Sequence, residues 1–173
     1  MRINRIGAAY LMIAALLAGF AAVLAAVMGA TPARGAPPDL IRPMVALVAL
    51  TAIVALLMGV YRNVAVIRGV APARYFRGFN ADPPAEWVER PARAYMNLLE
   101  LPVLFYVVCL LMLTTGRFDS VQVALAWVFV VARCAHAFIH IAFNYVPLRF
   151  AAFVAGVVTL AVIWMRFAAQ NLI

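Results

Sequence analysis

The residues of this chain that could do chemistry are polar groups set inside apolar runs, and they fall on two stripes. Arg93, Asn97 and Glu100 recur at i, i+4 and i+7, and at about 100° per residue a helix keeps them within roughly 60° of one another. Arg133, His136, His140 and Asn144 follow at i, i+3, i+7 and i+11 and form a second stripe. An ionisable group inside a membrane span costs about 2.5 to 3.5 kcal/mol on insertion scales, so each of these needs a partner or a task. Glu100 and Arg133 have opposite charge and similar depth, which predicts that they pair across a bundle. One reading of the stripes is a structural polar cluster that fixes helix register. The other is a wet pocket for a small, charged, hydrogen-bonding ligand resembling a short peptide, with arginines on its carboxylates and Asn97 on an amide. His136 and His140, at i and i+4, could also place two imidazoles on a metal or a haem. No cysteine or carboxylate motif of ligand spacing accompanies them, so packed or pocket histidines are the reading adopted and no metal is expected. P-loops, nucleophile elbows, paired catalytic carboxylates and glycine phosphate cradles do not occur in the sequence.

The elements that carry these stripes follow from composition. The 173 residues are 68% hydrophobic and 12% charged, against roughly half and a quarter in a soluble domain. An all-α integral membrane bundle is the architecture this predicts. A net charge of +8 does not indicate nucleic acid, because the basic residues are all arginines placed mostly at the ends of apolar runs. Cys109 and Cys134 lie inside apolar segments, where a free thiol packs as a small hydrophobe.

Five helices are predicted. Ile6 to Ala30 is longer than the roughly 7 to 15 residues of a signal-peptide core and matches the roughly 20 that cross a bilayer, so a retained span is preferred to a cleaved leader. Its Ala14, Ala18, Ala22 and Ala26 make a flat stripe expected to pack on protein. Pro32, Pro37 and Pro38 mark a connection from Thr31 to Asp39. Leu40 to Ile67 is the second span, followed by an arginine-rich stretch and a loop at Asn80, Asp82, Pro83 and Pro84. The third helix starts near Glu86 to Pro91, where acidic residues and proline suit a helix N-terminus, and runs to about Thr115. Gly116 to Asp119 is a tight link, Ser120 to about Asn144 the fourth helix, and Leu148 to about Ala169 the fifth. Tyr61, Trp87, Tyr95 and Trp164 sit near helix ends, where aromatic rings anchor spans. Arginines Arg2, Arg5, Arg62, Arg68, Arg74, Arg77, Arg90, Arg93 and Arg149 fall to one side, and Arg34, Arg42, Arg117 and Arg166 to the other. By the positive-inside rule the first group, and the N-terminus with it, is cytoplasmic.

The run Val88-Glu89-Arg90-Pro91-Ala92-Arg93-Ala94-Tyr95-Met96-Asn97-Leu98-Leu99-Glu100, with Pro102 after it, resembles the signature of the MAPEG family, the membrane-associated proteins in eicosanoid and glutathione metabolism. Tyr61-Arg62 at the end of the preceding helix, Arg133 with His136 on the next, and Asn144 with Arg149 before the last extend the resemblance over about Leu40 to the C-terminus. It implies a four-helix membrane domain over 40–173, with residues 1–39 as an added N-terminal span and linker. Activity as a glutathione-dependent transferase or peroxidase on lipophilic electrophiles or hydroperoxides is implied too, in a homotrimer whose glutathione sites lie between subunits. A multi-pass protein of the bacterial inner membrane, with glutathione as co-substrate, is the setting expected. The roles carried over are Arg62 and Arg93 for glutathione carboxylates, Asn97 and Glu100 for its backbone and amino group, and Arg133 with His136 as further contacts. Arg149 would face the sulfur, since a guanidinium lowers the pKa of a thiol and the thiolate is the nucleophile. His140 stands where transferases of the family often carry tyrosine, and could donate to the thiolate or act as a base. Tyr95 stands where the signature often has histidine. A different class of function would be a non-catalytic membrane scaffold or lipid-binding protein that keeps the fold and its polar cluster for assembly.

Overall fold

A computed structural model describes residues 2–78 and 84–172, without the side chains of 2–10 and 12. Its helices are α1 (Arg2–Met28), α2 (Pro37–Ile67), α3 (Ala73–Gly78), α4 (Glu86–Thr115), α5 (Ser120–Ala142) and α6 (Val146–Leu172). Helices α2, α4, α5 and α6 are each long and apolar enough to cross a membrane, and α1 adds a shorter apolar stretch, Ile13–Met28. The protein is a multi-pass membrane bundle. The expected five helices are present, with ends displaced by a few residues. Asn80, Asp82 and Pro83 of the expected loop lie outside the described residues. The arginine-rich stretch also contains one helix the sequence did not suggest, the six-residue α3, which buries Tyr75 and leaves Arg74 and Arg77 exposed.

Local chemistry sets the boundaries. Pro37 and Pro38 occupy the first turn of α2, and Asp39 reaches back to the Ala36 N–H at 3.3 Å. Gly116 ends α4 with φ +66°, donating its N–H to the Met112 carbonyl at 3.0 Å, a left-handed position that glycine adopts without strain. Asp119 caps α5: its Oδ1 accepts from the N–H groups of Val121 and Gln122 at 3.0 and 3.1 Å, while Gln122 Oε1 takes the Asp119 N–H at 2.9 Å. That is a reciprocal capping box.

The core lies along α5, which packs on α2, α4 and α6. Leu47, Phe105, Met112, Leu125, Phe129 and Ile163 are fully buried there, and the Phe105 and Phe129 rings stack at 4.7 Å. Adjacent helices run in opposite directions, so two ends can be distinguished. At one, Arg117 Nη1 donates to the Gln170 carbonyl at 3.1 Å and Arg166 Nη2 meets Asp119 Oδ2 at 2.8 Å. At the other, Arg90 Nη1 donates to the Ala142 carbonyl at 3.4 Å and Asn144 Nδ2 to Glu86. Of the two sets of arginines, Arg34, Arg117 and Arg166 lie at the first end and Arg90 and Arg149 at the second.

Helix α1 lies against α5 and α6. A backbone strap ties its linker to the start of α5: Ser120 donates to the Ala33 carbonyl at 2.8 Å, and the Ala33 N–H to Ser120 Oγ at 3.0 Å. Its alanine stripe does not pack within this chain. Ala14, Ala18, Ala22 and Ala26 are exposed, whereas Leu24 and Val27 pack on the core. Leu16, Leu17, Phe20 and Val23 of α1 face α5 and α6 instead, across an apolar groove.

Candidate functional site

The site forms where α5 ends and α6 begins. After Ala142 the chain turns on Asn144, whose φ is +49°, a left-handed conformation that asparagine tolerates better than most residues. The Phe143 and Asn144 N–H groups both reach the Ile139 carbonyl, at 3.1 and 2.8 Å. This turn brings the Asn144 side chain between two charged residues. Its amide nitrogen donates to Glu86, which also accepts from Arg90 Nε at 3.3 Å, and its Oδ1 accepts from Arg149 Nη1 at 2.6 Å. Donor toward the carboxylate and acceptor toward the guanidinium is the one amide orientation that satisfies both. A chain Arg90, Glu86, Asn144, Arg149 thus links the starts of α4 and α6 through the turn.

The turn predicts a simple comparison. An Asn144→Ala variant should be about 1 kcal/mol less stable than Asn144→Gly, because both lose the side-chain bonds and only alanine keeps the left-handed strain. Thermal unfolding in detergent measures this, and equal melting would contradict it.

Behind the turn, Asn97, His136, His140, Val146, Arg149, Phe150 and Phe153 line a cavity of about 230 Å³. The Arg149 backbone carbonyl lies 3.1 Å from His136 Nδ1. A carbonyl only accepts, so Nδ1 carries a hydrogen. The two imidazoles meet edge to face at 5.8 Å. Arg133 is fully buried beside them. Its Nη2 donates to the Asn97 side-chain oxygen and, at 3.5 Å, to the Asn97 carbonyl, and its guanidinium stands 6.0 Å from the Phe153 ring centre. Its stem runs past Gly156 of α6, where a Cβ would stand in ordinary contact with Arg133 Cδ at 3.5 Å. Among the described residues, seven buried side-chain nitrogens have no hydrogen-bond partner, and five of them are here: Nε and Nη1 of Arg133, Nε2 of His136, and both of His140. Buried polar groups are nearly always satisfied by protein, water or ligand, so such a concentration marks a place where something polar binds.

The residues singled out in the sequence therefore separate into two sets. Asn97, His136, His140 and Arg149 meet at one cavity, with Arg133 against it. Arg93 and Glu100 do not line it. They flank Asn97 on the exposed face of α4 and make no hydrogen bond or ion pair among the described residues. The expected Glu100–Arg133 pair is thus absent; Glu100 points out of the bundle and Arg133 binds Asn97 instead. Arg62, at the end of α2, places its guanidinium 5.4 Å over the Phe76 ring of α3. Near that end Tyr61, Trp87 and Arg90 line a separate cavity of about 410 Å³, with the Tyr61 and Trp87 rings 5.8 Å apart. Glu86 and Phe153 were not recognised from the sequence. The i, i+4 spacing from Glu86 to Arg90 was a readable sign for the first, whereas Phe153 looks like any other apolar residue of its span. Among the described residues no three His, Cys, Asp or Glu side chains cluster in a way that could hold a metal.

Comparison with known proteins gives one result. The sequence pattern of the MAPEG family matches residues 40–169, which takes in α2 to α5 and most of α6 and leaves α1 outside. Neither the search of curated proteins nor that of solved structures returns a match.

Proposed function

Because the chain belongs to the MAPEG family, we propose that it is a membrane-bound, glutathione-dependent transferase or peroxidase acting on lipophilic electrophiles or hydroperoxides. The supporting observation is the convergence of Asn97, His136, His140 and Arg149 on one cavity ringed by unpartnered buried nitrogens. At about 230 Å³ that cavity is below the roughly 300 to 1,000 Å³ of a pocket for a drug-sized ligand. It suits the cysteinyl end of the tripeptide, while the remainder lies along Arg93 and Glu100 on the open face of α4. A neighbouring subunit of a homotrimer would cover that face and bring its own Arg62 to a glutathione carboxylate. The arginine-rich end, where the site lies, faces the cytoplasm.

In this reading Arg149 is the group beside the sulfur. Asn144 fixes one nitrogen of its guanidinium, and the remaining N–H groups are free to stabilise a thiolate. His140, with both ring nitrogens unpartnered, takes the thiol proton or donates to the sulfur. With an electrophile the thiolate forms a carbon–sulfur bond and the leaving group, or the protonated adduct, departs. With a hydroperoxide the thiolate attacks the terminal oxygen and releases the alcohol. The resulting sulfenic acid is reduced by a second glutathione, giving glutathione disulfide and water.

Ultraviolet difference spectroscopy of the purified protein with and without glutathione tests the proposal. A thiolate band at neutral pH, together with a rise in melting temperature on adding glutathione, is the expected result. Absence of both would overturn it.

A further inference from the structure

We propose that Glu86, at the start of α4, is a positioning residue for Arg149: through the Asn144 amide it holds the guanidinium in the orientation that stabilises a glutathione thiolate. This rests on the role given to Arg149 above and concerns what fixes that side chain. Glu86 Oε1 accepts from the Asn144 side-chain nitrogen and also from Arg90 Nε, at 3.3 Å. Asn144 Oδ1 in turn accepts from Arg149 Nη1 at 2.6 Å. Arg90 Nη1 donates to the Ala142 carbonyl at 3.4 Å, two residues before Asn144. The outer end of the relay is thus fastened to the turn that carries its middle member.

Each link follows from donor and acceptor chemistry. A guanidinium only donates, whereas a side-chain amide offers N–H groups on one side and an oxygen on the other. Turned the other way, Asn144 would set donors against donors. An ionised carboxylate only accepts, so Glu86 takes the amide nitrogen and leaves the oxygen for Arg149. The other ionisable groups around this corner are Arg90 and Arg93 of α4 and Arg133, His136 and His140 of α5. The cations among them repel the Arg149 guanidinium, and the acceptor in the turn opposes that repulsion.

Charge and orientation predict opposite signs for a substitution. As a bare negative charge near the site, Glu86 disfavours a thiolate, so its removal would lower the pKa of the bound thiol. As the group that orients Asn144 it favours the thiolate through Arg149, so its removal raises that pKa. Glutamine separates the two effects, because its Oε1 has lone pairs for both Asn144 and Arg90 but no charge. The Glu86 side chain is 55% accessible, so neither alanine nor glutamine opens a void in the core.

The test is a pH titration of the ultraviolet thiolate band of the full chain in detergent at saturating glutathione, with thermal melting recorded alongside. Glu86→Ala and Asn144→Gly should each raise the midpoint by about 0.5 to 1 unit, a three- to tenfold loss of thiolate below that pH. The double variant should shift it no further than the larger single shift, as expected of residues acting in series. Glu86→Gln should restore the wild-type midpoint or fall below it. An unchanged midpoint in Glu86→Ala, even with a lower melting temperature, would overturn the proposal and leave Glu86 a structural residue. So would a lowered midpoint, a Glu86→Gln variant that behaves as Glu86→Ala, or additive shifts in the double variant. A wild-type chain with no thiolate band at any pH would overturn the role of Arg149 itself, and this proposal with it.

Discussion

Replacing Arg149 with alanine is expected to abolish the glutathione thiolate band and to lower kcat/KM by about 10² to 10³, the usual cost of losing one preorganised donor to a developing negative charge. A free thiol has a pKa of about 8.5, so only a few per cent is ionised at neutral pH without a cationic neighbour. Arg149→Lys should recover part of the rate, because it restores a positive charge but not the planar fork that Asn144 holds at 2.6 Å. Stability should change much less than rate. Arg149 is only partly buried, and its backbone carbonyl, which holds His136 at 3.1 Å, survives the substitution. A variant that keeps both its thiolate band and its turnover would remove Arg149 from the chemistry, whatever it did to the melting temperature.

The largest structural effect is expected at the opposite end, from Asp119→Ala. Its carboxylate takes two backbone N–H groups of α5, Arg166 at 2.8 Å and Gln170 Nε2 at 3.1 Å. Both members of the ion pair are largely shielded from solvent, with side chains 23% and 13% accessible. Removing one partner of such a pair costs about 3 to 5 kcal/mol, since the other is left uncompensated. For a chain of this length that corresponds to a fall in melting temperature of roughly 6 to 20 °C. Arg166→Ala should be milder, because Asp119 then keeps three donors. Asp119→Ser should fall between the two, since it preserves the cap alone. Thermal denaturation of the set in one detergent gives the order, and a D119A protein melting within 2 °C of wild type would refute this account of the carboxylate.

How much of this could be read in advance depended on the range of the interactions. The membrane helices were legible because an apolar run long enough to span a bilayer has few other uses. The stripe through Asn97, and the one through Arg133, His136 and His140, were legible because helical periodicity places residues on faces without tertiary knowledge. What periodicity does not give is which face turns inward. Glu100 lies on the same stripe as Asn97, yet a rotation of some 60° leaves it outside the bundle and gives Arg133 an amide in place of a carboxylate. The α1 alanines show the same limit, since periodicity gives a smooth face without saying which surface it meets. Helix α3 has only six residues, Ala73–Gly78, too few for a periodic signal. At Asp119 the local half was present in the sequence, as an acidic cap followed three residues later by glutamine. Its partners Arg166 and Gln170 lie 47 and 51 residues away, and no local pattern identifies them.

The strap that fastens α1 to the rest of the bundle also has a temporal side. Its two partners, Ala33 and Ser120, are 87 residues apart. A ribosome adding roughly 5 to 20 residues per second leaves about 4 to 17 seconds between them. For that interval α1 lacks its anchor, and α5 and α6, the helices it packs on, are still to be made. Its docking is therefore a late step in biogenesis, completed only after α5 and α6 have been made.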